Sequence, residues 1–139
     1  MIIVIRISGV VEVPREIQEA LFRLRLRRKY AAVLLNPSNE NLKLLKKIRN
    51  FVAYGDIDEE TLRLLFEKRG KTINTKTKID IDKIIEQINK KSISSLGLKP
   101  FFRLHPPRNG IDSKFHFPIR KGVLGDNKEK INQLVRRML

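Results

Sequence analysis

The chain has 139 residues, 41% of them hydrophobic, which is enough for one domain with a real core but not for two ordinary ones. Its 30 lysines and arginines outnumber 15 aspartates and glutamates, and the net charge of +15 favours a polyanionic partner, nucleic acid before an anionic membrane. Without cysteine or an apolar run of roughly 18 residues, disulfides, thiolate chemistry and membrane spans are excluded, and we expect a soluble cytoplasmic protein.

The first predicted strand covers residues 2–7, where odd positions face a core and Arg6 lies on the opposite side of the sheet. Arg6 also breaks the apolar run too early for a signal peptide. Pro14 suits the first turn of a helix, whose apolar stripe is Ile17, Ala20, Leu21 and Leu24. The end of this helix is unusually basic, with Arg23, Arg25, Arg27, Arg28 and Lys29.

A second strand is predicted over 30–35, ending at Pro37. Ser38 or Asn39 can cap the next helix, for which we predict the apolar stripe Leu42, Leu45, Ile48 and Val52. Lys46 and Lys47 lie on its other faces. Gly55 is predicted to interrupt the chain before Asp58 caps a third helix that ends at Gly70.

The second half of the chain begins with a basic loop over 71–78, followed by a short helix after Asp80. The segment 98–110 reads L-K-P-F-F-R-L-H-P-P-R-N-G, in which a third strand over 101–104 is ended by two prolines. A basic arm with few structural signals follows. Asp126 and Glu129 have the spacing of a capping box before a closing helix.

This order of elements predicts an α+β fold, with a small three-stranded sheet, helices packed on one face, an extended basic arm and a closing helix. Within a single domain we expect a β-α-β-α core over 1–70, the third strand and basic extension over 71–125, and a C-terminal helix over 126–139 that docks on the core. Strand–helix–strand crossovers favour parallel pairing, but the strand order stays open.

The basic residues are the candidate functional groups, because arginine forks match phosphate oxygens and a row of cations can follow a nucleic-acid backbone. Some of them, Arg136 and Arg137 among them, have the alternative role of complementing a helix dipole. Phe115 and Phe117 could stack on bases or pin the arm to the core. The predicted RNA-binding residues are Arg6, Arg23, Arg25, Arg27, Arg28, Lys29, Lys46, Lys47, Lys71, Lys76, Lys78, Arg103, His105, Arg108, Lys114, His116, Arg120, Lys121, Arg136 and Arg137.

Catalytic chemistry is poorly supported. The two histidines, His105 and His116, lie eleven positions apart without a cysteine or paired carboxylates nearby. The acidic cluster at 56–60 begins a helix, where capping explains it. With no glycine-rich phosphate loop either, we expect no catalytic residue, no metal, no cofactor and no small-molecule substrate.

Several segments carry a family resemblance, in this order: V-I-R-I-S-G at 4–9, L-R-L-R-R-K-Y at 24–30, L-K-K-I-R-N-F-V-A-Y-G-D-I-D-E-E-T-L at 45–62, F-E-K-R-G at 66–70, G-L-K-P-F-F-R-L-H-P-P-R-N-G at 97–110 and I-N-Q-L-V-R-R-M-L at 131–139. The chain resembles the archaeal type of large-subunit ribosomal protein L-thirty, whose eukaryotic counterpart is protein L-seven. The 97–110 segment is the most specific. The region between Gly70 and Leu98 is shorter than usual for that type, and Tyr54 replaces a usual Trp.

The resemblance implies a three-stranded antiparallel sheet, and a structural component of the large ribosomal subunit that binds ribosomal RNA beside neighbouring ribosomal proteins. A free-standing nucleic-acid-binding regulator is the alternative, although a DNA reader usually needs a symmetric dimer and no dimer seam is evident. A membrane-surface protein would need a helix with large apolar and basic faces. Only the first helix qualifies, and its apolar stripe is needed for the core.

Overall fold

The computed structural model describes residues 1–9, 11, 13–73, 80–88, 90, 94–108, 110, 113–116 and 122–139, with 113–116 as backbone only. In chain order the elements are β1 (Ile2–Arg6), α1 (Arg15–Arg23), β2 (Ala31–Leu35), α2 (Asn39–Ile48), β3 (Val52–Asp56), α3 (Glu59–Arg69), α4 (Ile81–Gln87), β4 (Phe102–Arg103), β5 (Ser113–His116), β6 (Gly122–Asp126) and α5 (Ile131–Met138). Short 3-10 turns cover Ser94–Leu96 and Lys128–Lys130.

The described strands form one mixed sheet in the order β4-β2-β1-β3-β6-β5. β1 lies in its interior and is antiparallel to both β2 and β3, and β2 is antiparallel to β4. The edge formed by β6 and β5 is parallel to β3. The α+β class is therefore confirmed, and the antiparallel pairing holds for the first four strands. The sheet is larger than the three predicted strands.

Strand β3 was not predicted from the sequence, and the predicted second helix extended to its first residue. The predicted stripe of the second helix continued to Val52, but α2 ends at Ile48, and the Phe51 N–H donates to the Ile48 carbonyl at 3.0 Å. Val52 then begins β3 opposite Arg6 of β1. The helix prediction for Val52 is wrong because its spacing from Ile48 also fits a turn followed by a strand. Pairing with β1 satisfies the backbone of this segment.

Both faces of the sheet are covered by helices. In β1, Ile3 and Ile5 belong to one core and Ile2 and Val4 to the other, as expected for alternating sides of a strand. Helices α3, α4 and α5 contribute to the first core, whereas α1 and α2 contribute to the second. The structure thus differs from the prediction of helices on one face, because the central strand is apolar on both sides and both must be shielded.

Helix α5 packs against the first core and holds the start of the basic arm. Four apolar side chains of α5 are buried there: Ile131, Leu134, Val135 and Met138. The His105 N–H donates to the Met138 carbonyl at 3.2 Å. The predicted capping box is wrong, because Asp126 ends β6 and caps the Lys128 N–H at 2.9 Å, while the helix begins only at Ile131. The intervening 3-10 turn separates the two.

Candidate nucleic-acid interface

The basic segment after α1 is a fixed loop. The Arg25 N–H donates to the Phe22 carbonyl at 3.0 Å and the Leu26 N–H to the Leu21 carbonyl at 2.9 Å, the two bonds of a Schellman motif. Leu21 and Leu26 are fully buried in the same core. Arg25 occupies the left-handed position of this motif, with φ of 65°. The backbone hydrogen bonds and the two buried leucines therefore hold the loop against the core, and its cations face solvent.

Arg6 supports this loop from the interior. Its side chain is 2% exposed, and its guanidinium donates to the carbonyls of Leu26 at 2.7 Å, Ser8 at 2.9 Å and Gly9 at 3.1 Å. Desolvation by burial lowers the pKa of Arg6. This residue was among the predicted RNA-binding cations, but its guanidinium is buried and each of its three nitrogens donates to a carbonyl, so it positions the loop instead of facing solvent. The structural reason is that the second face of β1 is also covered.

Strand β4 brings a distant arginine beside the loop. Phe102 points into the first core and meets the Phe66 ring edge-on at 5.4 Å between centroids. Its neighbour Arg103 pairs with Ala31 of β2 and is exposed, so it lies next to the end of the basic loop. The result is a cleft of about 240 Å³, which we call the arginine cleft, lined by Arg25, Arg27, Arg28, Ala31, Phe101 and Arg103.

The arginines of this cleft have no carboxylate partner within the described part of the chain. The ion pairs found there lie elsewhere: Arg15–Glu19, Lys47–Glu16, Arg63–Glu59, Arg63–Asp82, Lys83–Asp80, Arg136–Asp58 and Arg136–Glu60. Beside the cleft, Lys29 lies 5.1 Å from the centre of the Tyr30 ring. Four guanidinium groups around one concavity, with no counter-charge among the described residues, have the charge and the hydrogen-bond donors to match phosphate oxygens.

The two arginines near the end of α5 are engaged with protein. Arg136 lies 3.2 Å from a Glu60 carboxylate oxygen and donates to the Thr61 hydroxyl at 3.2 Å. The Arg137 guanidinium donates to the carbonyls of Arg108, at 3.0 Å, and Gly110. Arg137 therefore fixes the chain where the basic arm begins, which is a role that the sequence did not suggest.

One group of acidic residues lies at the other end of the sheet, around the start of α3. Asp58 caps α3, accepting from the Thr61 N–H at 2.7 Å, and its hydrogen bonding with Thr61 lowers the pKa of this carboxyl, as does the nearby Arg136. A groove of about 580 Å³, which we call the polar groove, is lined by Asp56, Ile57, Asp58, Glu129, Lys130, Asn132, Gln133 and Arg136. Among the residues that the structure describes, no group of three or more histidines and carboxylates could hold a metal ion.

The other predicted cations are more scattered. Arg23, Lys29, Lys46, Lys47, Lys71 and Arg108 are exposed. His105 is half-buried, and its ring nitrogens lie 2.7 Å from the Pro106 carbonyl oxygen and 2.5 Å from the Leu139 oxygen. Of Lys114 and His116 only the backbone, in β5, is described. Lys76, Lys78, Arg120 and Lys121 lie outside the described residues.

Sequence patterns did not single out two of the residues that line the cleft. Phe101 was assigned to packing, and it does touch the second core, but it also forms a wall of the cleft. Ala31 lines the same space. No sequence pattern indicates that these residues meet the basic loop. They do so because β2 pairs with β4, and the two strands are distant along the chain.

Comparisons with known proteins identify the class. Residues 2–52 match the family described as Ribosomal protein L30p/L7e. Relatives named Large ribosomal subunit protein uL30 include those of Archaeoglobus fulgidus, 37% identical over 99% of both chains, Aeropyrum pernix, 34% identical over 98% of this chain and 97% of its own, and Pyrobaculum islandicum, 34% identical over 98% and 92%.

These similarities span nearly the whole chain, so the predicted resemblance is confirmed. The chain belongs to the Ribosomal protein L30p/L7e family. It is accordingly a structural ribosomal protein and not an enzyme. In the described part of the chain, no helix is long and apolar enough to cross a membrane.

Proposed function

We propose that this protein is a structural constituent of the large ribosomal subunit that binds ribosomal RNA through the arginine cleft and the cations around it. The observation that carries the proposal is the meeting of Arg25, Arg27, Arg28 and Arg103 around one concavity, where no described carboxylate neutralises them. The assignment to the large subunit follows from the names of the relatives, and we accordingly propose that the protein resides on cytoplasmic ribosomes.

Binding by this surface would be driven by phosphate neutralisation. Each guanidinium can donate two parallel hydrogen bonds to phosphate oxygens, and each phosphate contact releases counterions from the RNA. The loop backbone is already fixed by its Schellman motif and by Arg6, so that little backbone conformational entropy is lost when RNA binds. Contacts to backbone phosphates and 2′-hydroxyls make base-specific recognition unnecessary for most of the interface.

The exposed cations that flank the cleft extend the surface. Arg23 and Lys29 belong to the same loop region, and Arg108 follows β4 on a segment that Arg137 holds in place. The basic arm beyond Gly110 adds further positive charge. Neighbouring ribosomal proteins are the other partners that we propose, since a small protein packed among RNA helices also meets their extensions.

Removal of three cleft charges tests the proposal. The cleft variant carries Arg27→Gln, Arg28→Gln and Arg103→Gln, all at exposed positions. Since hydrogen bonds to charged groups are worth ~1.5–3 kcal/mol each, we expect affinity for large-subunit ribosomal RNA to fall at least about 100-fold. The measurements are filter binding with purified RNA and the share of protein that sediments with large subunits in cell lysate. The thermal midpoint should change little.

The matched control variant carries Arg15→Gln, Arg63→Gln and Lys83→Gln, three exposed cations that are paired with carboxylates. It loses the same net charge, and we expect its RNA affinity to drop only a few-fold. Equal losses in the two variants would show that overall charge, not the cleft, binds RNA. A protein that sediments only with DNA or lipid would contradict the ribosomal role.

A further inference from the structure

The arginine cleft has a shape that suits one protruding nucleotide. Its volume of about 240 Å³ lies below the roughly 300–1,000 Å³ of pockets that enclose drug-sized ligands. A double helix, whose grooves and ridges are far larger, can touch only its rim. A base or a phosphate that projects from the RNA can enter it.

One wall of the cleft is aromatic, which phosphate binding does not require. The half-buried Phe101 is one of the residues that line the cleft, and the Arg103 guanidinium carbon lies over its ring, 5.7 Å from the ring centre. Unpaired RNA bases characteristically stack on aromatic rings and on arginine planes. Phe101 and Arg103 therefore supply surfaces of the two kinds on which an extruded base can lie.

The remaining walls supply charge and space. Arg25, Arg27 and Arg28 line the cleft from the loop side, and Ala31, with its single methyl group, takes little of its volume. The loop is held by backbone hydrogen bonds and by Arg6, so the cleft exists before RNA arrives. This preformed concavity has an aromatic wall that suits a base and three further arginines that suit its phosphates.

We propose that the arginine cleft receives a single unpaired nucleotide of the bound RNA. Its base stacks on Phe101, and its flanking phosphates pair with Arg25, Arg27 and Arg28. This inference rests on the proposed function, since it assumes that RNA is bound at this surface, and adds that the recognised element is a bulged or looped-out base. A surface that reads only duplex phosphates would leave the aromatic wall unused.

Three RNA hairpins with one common stem test the inference with the full-length protein. The first carries a single bulged adenosine, the second an abasic residue at the bulge, and the third no bulge. A stacked base changes affinity about 5- to 150-fold, equivalent to ~1–3 kcal/mol. We expect the adenosine hairpin to bind at least about fivefold tighter than the other two, measured by fluorescence anisotropy at one fixed salt concentration.

Substitution of Phe101 links that preference to the cleft. Phe101→Leu keeps an apolar side chain against the core and should reduce the preference for the adenosine bulge to less than about twofold, whereas Phe101→Trp should retain it. Thermal unfolding shows whether each variant is folded. The abasic comparison needs no variant, so it decides the question even if Phe101→Leu unfolds.

The outcomes separate the two proposals. Equal affinity of the wild-type protein for the adenosine and abasic hairpins overturns the nucleotide site and leaves RNA binding by the cleft arginines intact. A bulge preference that Phe101→Leu retains while folded also overturns it. If the protein binds large-subunit RNA but none of the hairpins, the nucleotide site alone is overturned. If it binds neither the hairpins nor large-subunit RNA, the proposed function is overturned as well.

Discussion

Arg25 combines an unfavourable backbone conformation with a side chain that lines the arginine cleft. Its φ of 65° lies in the left-handed region, which glycine adopts freely and which costs other residues roughly 1–2 kcal/mol. Glycine is the usual residue at this position of a Schellman motif. Strain of this kind persists at functional sites when the side chain is needed there. We attribute the arginine to the RNA contact that we propose for it.

Replacement of Arg25 by glycine should therefore separate stability from binding. We expect Arg25→Gly to increase the free energy of unfolding by ~0.5–1 kcal/mol, because glycine has no Cβ atom to clash with the backbone in the left-handed conformation. Affinity for large-subunit RNA should fall about tenfold, because one charge-assisted contact is lost. Chemical denaturation and filter binding measure the two effects.

Arg27→Gly is the matched control for this pair of effects. It removes a cleft arginine from the same loop, but Arg27 is not among the described residues with positive φ. We expect RNA binding to weaken as in Arg25→Gly, without any gain in stability. A loss of stability in Arg25→Gly would show that the arginine side chain supports the fold, and RNA contact would then not be the reason for an arginine at this position.

For Arg6, the sequence pattern predicts the side of the strand on which the residue lies but not its burial. Strand alternation correctly places Arg6 on the side of β1 opposite Ile3 and Ile5. It does not reveal that α1, α2 and the loop after α1 cover that side. A charge on a strand face is therefore compatible with either a solvent-facing cation or a buried one, and only the tertiary contacts to the Leu26, Ser8 and Gly9 carbonyls decide.

At the scale of elements, β3 depends on one glycine that the sequence pattern presented as an interruption. Gly55 pairs with Ile3 in the interior of the sheet. A Cβ atom there would lie 2.3 Å from the Lys128 carbonyl oxygen and 2.9 Å from the Ile131 Cβ. A glycine inside a strand often marks such a close approach. In this protein it allows the start of α5 to pack directly on the sheet.

Gly55→Ala should accordingly disturb the docking of α5. We expect a loss of ~1–3 kcal/mol in the free energy of unfolding, because the backbone at Lys128 cannot yield as a flexible side chain would. Denaturant unfolding measures the loss. Faster hydrogen exchange at the His105 and Arg108 amides, which donate to carbonyls of α5, would show the effect on the arm.

Gly9→Ala is the appropriate comparison, because a Cβ atom at Gly9 meets nothing within 4 Å. We expect its free energy of unfolding to change by less than about 0.5 kcal/mol. If the two alanine variants were equally stable, the close approach at Gly55 would not matter for the packing of α5.

The elements that the sequence predicted well are those with local signals. The caps formed by Ser38, Asp58 and Asp80 accept the expected backbone N–H groups, and α2, α3 and α4 follow them. Strands β3, β5 and β6 were missed. The pairing of β3 with β1 and with β6 joins segments that are distant along the chain, and the segment that holds β5 and β6 has few structure-forming signals. The candidate site divides in the same way, because its cations were predicted individually but the cleft arises from the β2–β4 pairing.

At the scale of the whole molecule, the polar groove and the arginine cleft lie at opposite ends of β1. Asp56 pairs with Ile2, so the polar groove and the acidic start of α3 lie at the first residue of β1. The arginine cleft lies at the other end of that strand, near Arg6. If the cleft binds RNA, as we propose, this separation turns the basic end of the protein toward the polyanion.

The salt dependence of binding tests this polarity. The logarithm of the binding constant falls linearly with the logarithm of salt concentration, with a slope of roughly −0.7 to −0.9 for each phosphate neutralised. If Arg27, Arg28 and Arg103 each neutralise one phosphate, the slope for the cleft variant should be shallower than that of the wild type by about 2 to 3. Titrations of large-subunit RNA at four or more salt concentrations give the slope.

The control variant distinguishes contact from general attraction in the same experiment. Arg15, Arg63 and Lys83 are paired with carboxylates, and their removal lowers the net charge by as much as the cleft variant does. We expect its slope to differ from that of the wild type by less than about 1, since no phosphate contact is lost. Equal slopes for the two variants would mean that RNA binds to cations over the whole surface. That result would contradict binding at the cleft end of β1.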